Sequence, residues 1–156
     1  MVIYYSKSGK TKVFAEELSK IVKKSLFDLA EKRPHVGIIG SVIGGWESLR
    51  KKESEVKYLP DFKGVKKVYV CTPIWAGQMA PSVRYLMNHA KWAGIEVNVL
   101  TTCRSVSSCQ KYADSILDAF AAKGCVRGKA YGFVTAGKTP IDRQAIKEQM
   151  EQMITK

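Results

Sequence analysis

Short β-rich runs alternate with longer amphipathic stretches along almost the whole chain, and this alternation constrains the fold more than any other feature. Val2–Tyr5, Leu26–Ala30, Lys67–Thr72, Glu96–Thr102 and Lys129–Thr135 are apolar, rich in β-branched and aromatic residues, and short enough for buried strands. Between them, Thr11–Lys24 carries Phe14, Leu18, Ile21 and Val22 at helical spacing. Pro81 suits the first turn of a second helix with Val83, Leu86, Met87 and Ala90 on one face, ending near Gly94. Ser108–Lys123 sets Ala113, Ile116, Leu117 and Phe120 inward, and Pro140–Ile154 gives a last helix. Val36–Lys52 is ambiguous, apolar and glycine-rich before Trp46 and Leu49, and reads as a turn leading into a helix. Strands joined through helices must run parallel, so the pattern predicts an α/β fold with helices on both faces of the sheet. Right-handed crossovers and five strands predict the order 2-1-3-4-5, a three-layer sandwich in a single domain over residues 1–156.

In such a sheet ligands bind beyond the carboxyl ends of the strands, where the winding reverses between the first and third. Three loops lie there: Ser6–Thr11, Thr72–Gln78 and Thr101–Ser108. The first, YSKSGKT, packs hydroxyls, a glycine and lysines into a strand-to-helix turn, which serves either a helix cap or an anion. It is no nucleoside triphosphate loop. The glycine required five residues before Gly9 is Tyr4, and the third strand closes on Cys71 and Thr72 instead of an acidic residue for magnesium. What remains is a loop suited to one phosphate monoester.

These residues resemble the flavodoxin family. VIYYSKSGKTKVFAEEL fits the family's opening pattern across many positions, VYVCTPIWAGQMAPSVRYL resembles the stretch in which Pro-Ile-Trp-x-Gly follows the third strand, and TTCRSVSSC occupies the place of the third flavin loop. The resemblance covers most of the chain and implies a flavodoxin-like fold with non-covalently bound FMN. It implies that Ser6, Ser8 and Thr11 bind the phosphate with the N–H groups of Lys7, Gly9 and Lys10. It implies further that Thr72, Pro73, Ile74, Trp75, Ala76 and Gly77 line the isoalloxazine, and that Thr102, Cys103, Arg104, Ser105 and Ser108 form the third loop. This loop departs from the best-known flavodoxins: a tyrosine is missing near Ser108, an acidic residue is missing near Ser105, and Arg104 adds positive charge.

The implied function is electron transfer between a reductase and an acceptor. The alternatives are an FMN-dependent oxidoreductase acting on NAD(P)H or a quinone, and a flavin-free basic binding module. The net charge of +12 predicts attraction to acidic partner surfaces, while the scatter of lysines from Lys7 to Lys156 argues against a nucleic-acid groove. No apolar run has the length of a membrane span, and Met1 leads directly into a strand, so the expected compartment is the cytoplasm. There the four cysteines, Cys71, Cys103, Cys109 and Cys125, are expected as reduced thiols. No C-x-x-C pair or histidine spacing suggests a metal.

Overall fold

A computed structural model describes residues 1–32, 46, 50–104, 108–135 and 142–154. In chain order the elements are β1 (Val2–Tyr4), α1 (Lys10–Val22), β2 (Leu26–Asp28), β3 (Lys67–Trp75), β4 (Gln78–Met79), α2 (Pro81–His89), β5 (Glu96–Cys103), α3 (Cys109–Ala121), β6 (Val126–Val134) and α4 (Arg143–Ile154). The long strands pair in parallel in the order β2-β1-β3-β5-β6. Without the two-residue β4, this is the order 2-1-3-4-5 that the alternation of elements predicts.

Neighbouring residues on a strand point to opposite faces, so each central strand feeds two cores. One core combines Ile3, Val68, Val70, Val97 and Val99 with Val83 and Leu86 of α2 and Ile116, Leu117 and Phe120 of α3. The other combines Val2, Tyr4, Cys71 and Leu100 with Phe14 and Leu18 of α1 and Ile146 and Met150 of α4. The helix faces read from the sequence are the faces buried here. Gly132 of the edge strand β6 permits close docking of α3: a Cβ there would stand 2.4 Å from the backbone nitrogen of Gln110. The Gln110 side chain then accepts from Gly132 N–H and donates to the Ala130 carbonyl, at 2.9 and 3.0 Å.

Several boundaries differ from expectation. The third strand does not close at Pro73. It continues to Trp75, then doubles back so that Ile74 pairs with Met79 and Trp75 with Gln78. Proline lacks a donor but is tolerated near the end of a strand, and Pro73 still lies in register with Thr102 of β5. Ala76 and Gly77, both at positive φ (46° and 75°), form the two-residue turn that matches the twist of a hairpin. α2 stops at His89 because Ala90 is extended, and Gly94 (φ 76°) turns the chain into β5 instead of ending the helix. β6 begins at Val126, ahead of Lys129, with a register shift opposite Val97–Val99. Most of the ambiguous stretch Val36–Lys52 lies outside the described residues, as does the expected helix start at Pro140. No helix among the described residues is long and apolar enough to cross a membrane.

Candidate functional site

The carboxyl ends of β1, β3 and β5 stand side by side, with Tyr4 in register with Cys71 and Pro73 with Thr102. This brings the three loops together at one end of the sheet.

In the first loop, Gly9 holds the N-cap of α1 at φ 80°, a left-handed conformation that glycine adopts freely. It supplies no capping side chain, and the first turn of α1 contains no acidic residue. Ser8 is exposed and does not cap the helix; Lys10 is half-buried. Thr11 is 2% exposed, and its hydroxyl pairs with that of Thr102 at 2.8 Å, tying the first loop to the third. One hydroxyl of such a pair donates and the other keeps a proton to give. The Ser6 hydroxyl and the Lys7 ammonium are buried without a hydrogen-bond partner among the described residues. An unpaired buried ammonium is costly in a folded protein, so the chemistry of these two groups is suited to an anionic partner.

The second loop is the β3–β4 hairpin. Thr72 is fully buried; its hydroxyl donates to the Pro73 carbonyl at 3.0 Å and accepts from Ala80 N–H at 3.4 Å, clasping the hairpin base. Pro73, Ile74, Trp75 and Gly77 are half-buried and Ala76 is exposed. The Trp75 ring meets Tyr5 edge-on at 5.6 Å, and the Lys7 ammonium lies 5.7 Å from its centroid. The hairpin and the first loop therefore share a wall. Behind it, Tyr5 donates to the buried carboxylate of Glu31 at 3.1 Å, and burial, then the Glu31 charge, pushes the phenol up.

In the third loop Thr101 donates to the Cys109 carbonyl at 3.1 Å, Arg104 is exposed, and Ser108 is half-buried as the N-cap of α3. Ser105 lies outside the described residues. The expectation of four reduced thiols is corrected for two of them. Cys103 and Cys109 are joined as a disulfide, with Cα atoms 5.8 Å apart, while Cys71 and Cys125 are free. The end of β5 and the start of α3 meet, and this brings together two cysteines that stand six residues apart in sequence.

Two residues of this region escaped the sequence reading. Tyr112 lies against the hairpin turn, its Cε1 and Oη 3.5 Å from where a Cβ on Gly77 would stand. The available signal was its position one helical turn after Ser108, above the same end of the sheet. Glu31 carried no signal, since only the tertiary fold buries it beside Tyr5.

A separate groove of about 710 Å³ lies between α1 and α4, lined by Glu17, Lys20, Ile21, Lys147 and Glu151. α1 leaves the loop end of the sheet and runs back toward the opposite end, so this groove is remote from the three loops. No cluster of histidine, cysteine or acidic residues among the described residues is placed to hold a metal ion.

No protein-family model and no curated relative matches the sequence. Solved structures do. The chain is similar to a candidate flavoprotein from Bacteroides uniformis, with 20% identity over 100% of this chain and 97% of the other and a TM-score of 0.76. It is similar to a flavoprotein in complex with FMN from Lactobacillus acidophilus, with 22% identity over 84% and 91% of the two chains and a TM-score of 0.67. Against oxidised flavodoxin 1 from Bacillus cereus the identity is 12% over 99% and 95%, with a TM-score of 0.58. The fold is flavodoxin-like.

Proposed function

We propose that the protein binds FMN non-covalently and passes electrons between a reductase and an acceptor. The observation that carries this reading is the pair of buried groups without a hydrogen-bond partner among the described residues, Ser6 Oγ and Lys7 Nζ, beside the start of α1, which lacks a capping side chain. A phosphate monoester satisfies both and gains charge-assisted bonds that a neutral ligand does not. Ser8, Thr11 and the N–H groups of Lys7, Gly9 and Lys10 complete its cradle. The hairpin Pro73–Gly77, with Trp75 against Tyr5 and Lys7, supplies the wall for the ring system. Thr102, Cys103, Arg104 and Ser108 bound the other side. FMN supplies the electron chemistry when bound; the chain binds, orients and sets the charge around it. A basic surface suits acidic partner proteins in the cytoplasm. One observation favours the enzymatic reading, an FMN-dependent NAD(P)H or quinone oxidoreductase: the exposed Arg104 offers a cation at the lip of the site to an anionic substrate.

Calorimetric titration with FMN, FAD and riboflavin tests the assignment. FMN binds tightest, because riboflavin lacks the phosphate and FAD holds it within a diphosphate. Ser6→Ala with Lys7→Met weakens FMN binding by about 2–4 kcal/mol, the loss of two charge-assisted contacts, and leaves riboflavin unaffected. Equal affinity for FMN and riboflavin overturns the assignment.

A further inference from the structure

We propose that Cys103 and Cys109 form a reversible dithiol–disulfide couple, a redox site beside the first loop that takes electrons from dithiol reductants. The effect on FMN rests on the reading above; the couple itself does not.

The backbone of each cysteine is held by contacts other than the sulfur bridge. At Cys103, the carbonyl accepts from Thr135 N–H at 2.8 Å and from the Thr135 hydroxyl at 3.2 Å. At Cys109, the carbonyl accepts from Thr101, and the close approach of Gln110 to Gly132 fixes the start of α3 over β6. The resulting Cα separation of 5.8 Å lies within the span a disulfide bridges without backbone movement. The reduced state is equally provided for. Cys109 Sγ lies 3.1 Å from the Phe133 carbonyl oxygen, which accepts a hydrogen bond from the reduced thiol. The other cysteines have no such arrangement. Cys71 is buried inside the opposite core and burial pushes its thiol up; Cys125 stands just before β6, its thiol also raised by burial.

Cys109 is 1% exposed and Cys103 8%, so exchange starts at Cys103. A thiolate of the dithiol bonds to Cys103 Sγ, the S–S bond breaks, and its electron pair leaves on Cys109 Sγ, which takes a proton from solvent and hydrogen-bonds through it to the Phe133 carbonyl. The second thiolate of the reductant then attacks the sulfur bound to Cys103, releasing the Cys103 thiolate to be protonated. Two electrons and two protons pass from the dithiol to the pair, and the reductant leaves as a disulfide. Thr102, next to Cys103, is bonded to Thr11 of the first loop, so opening the bridge releases a thiol at the edge of the same site.

The full chain, equilibrated in mixtures of reduced and oxidised dithiothreitol, alkylated and peptide-mapped, tests this. The 103–109 linkage should appear and vanish reversibly with two-electron dependence, Cys71 and Cys125 staying unlinked, and Cys103→Ser should abolish it. A pair that stays reduced throughout, or links to Cys71 or Cys125 instead, overturns the proposal. FMN Kd values for the oxidised and reduced protein should differ by about fivefold or more; equal values overturn the coupling of the pair to the FMN site. Failure to bind FMN in either state, with the linkage reversible, overturns the FMN reading and leaves the couple standing.

Discussion

Lys7 carries its ammonium into the wall shared by the first loop and the hairpin, where it finds the face of Trp75 at 5.7 Å and no hydrogen-bonding acceptor among the described residues. A cation over an indole gains a modest attraction, about 0.5–2 kcal/mol, which does not replace a lost hydration shell. Of the three tryptophans this indole alone stands at the candidate site, since Trp92 is 2% exposed and bonded to the Met87 carbonyl, and Trp46 is 55% exposed beneath Arg50. FMN should therefore quench Trp75 strongly. Trp75→Phe should remove that quench and Trp46→Phe and Trp92→Phe should retain it, while Trp75→Ala weakens binding by about 1–3 kcal/mol. A quench that survives Trp75→Phe assigns this side chain to the core. At this scale the sequence exposed the type of each group and not its partners. The hydroxyls of YSKSGKT were legible as an anion loop, yet nothing local shows that Thr11 bonds Thr102, or that Ser6 and Lys7 are the members left unsatisfied. Those outcomes depend on which strands become neighbours.

The helices, the long strands and their order were legible because each buries residues at its own period, and Phe14 and Leu18 or Ile116 and Phe120 have no other stable arrangement. The hairpin was not legible. Pro73 reads as a stop, and an alanine at φ 46° is chosen by the pairing of Ile74 with Met79, against the preference of the residue itself. Between elements, α1 and α4 are joined by a carboxylate that the helical pattern hides. Glu17 accepts from Lys20 at 2.8 Å and from Arg143 at 2.9 Å, and Arg143 also reaches Glu16 at 2.8 Å. The Lys20 hydrogen bond, opposed by burial and reinforced by Arg143, holds the Glu17 carboxyl below its ordinary value of 4.5. A depressed carboxylate stabilises the fold at pH values above the unfolded pKa, and the contribution disappears as pH falls through the lower, folded value. Glu17→Gln should therefore lower the melting temperature at about pH 7, and the gap to wild type should shrink steadily below about pH 4.5. A gap that is constant over that range means the carboxylate contributes nothing beyond its shape.

For the whole molecule the dominant quantity is a net charge of +12, and its effect depends on where it sits relative to the candidate site. Reduction adds negative charge to a bound flavin, so a positive surround favours reduction and an acidic one resists it. Arg104 is exposed at the end of β5, and water screens it more than a buried cation. At roughly 8 Å and an effective dielectric near 40, one such charge contributes about 1 kcal/mol. For one electron that corresponds to about 45 mV, at about 59 mV per tenfold change. Arg104→Gln should accordingly lower the potential of bound FMN by a few tens of millivolts in dilute buffer. The difference should shrink as salt shortens the Debye length from about 30 Å at 0.01 M toward about 8 Å at 0.15 M. Spectroelectrochemistry of both proteins at the two ionic strengths decides the point. A potential that does not move in either buffer places the Arg104 charge out of reach of the flavin, and the same substitution should then act on partner association instead. Stopped-flow mixing with an acidic redox protein would show that as a slower association rate with an unchanged potential.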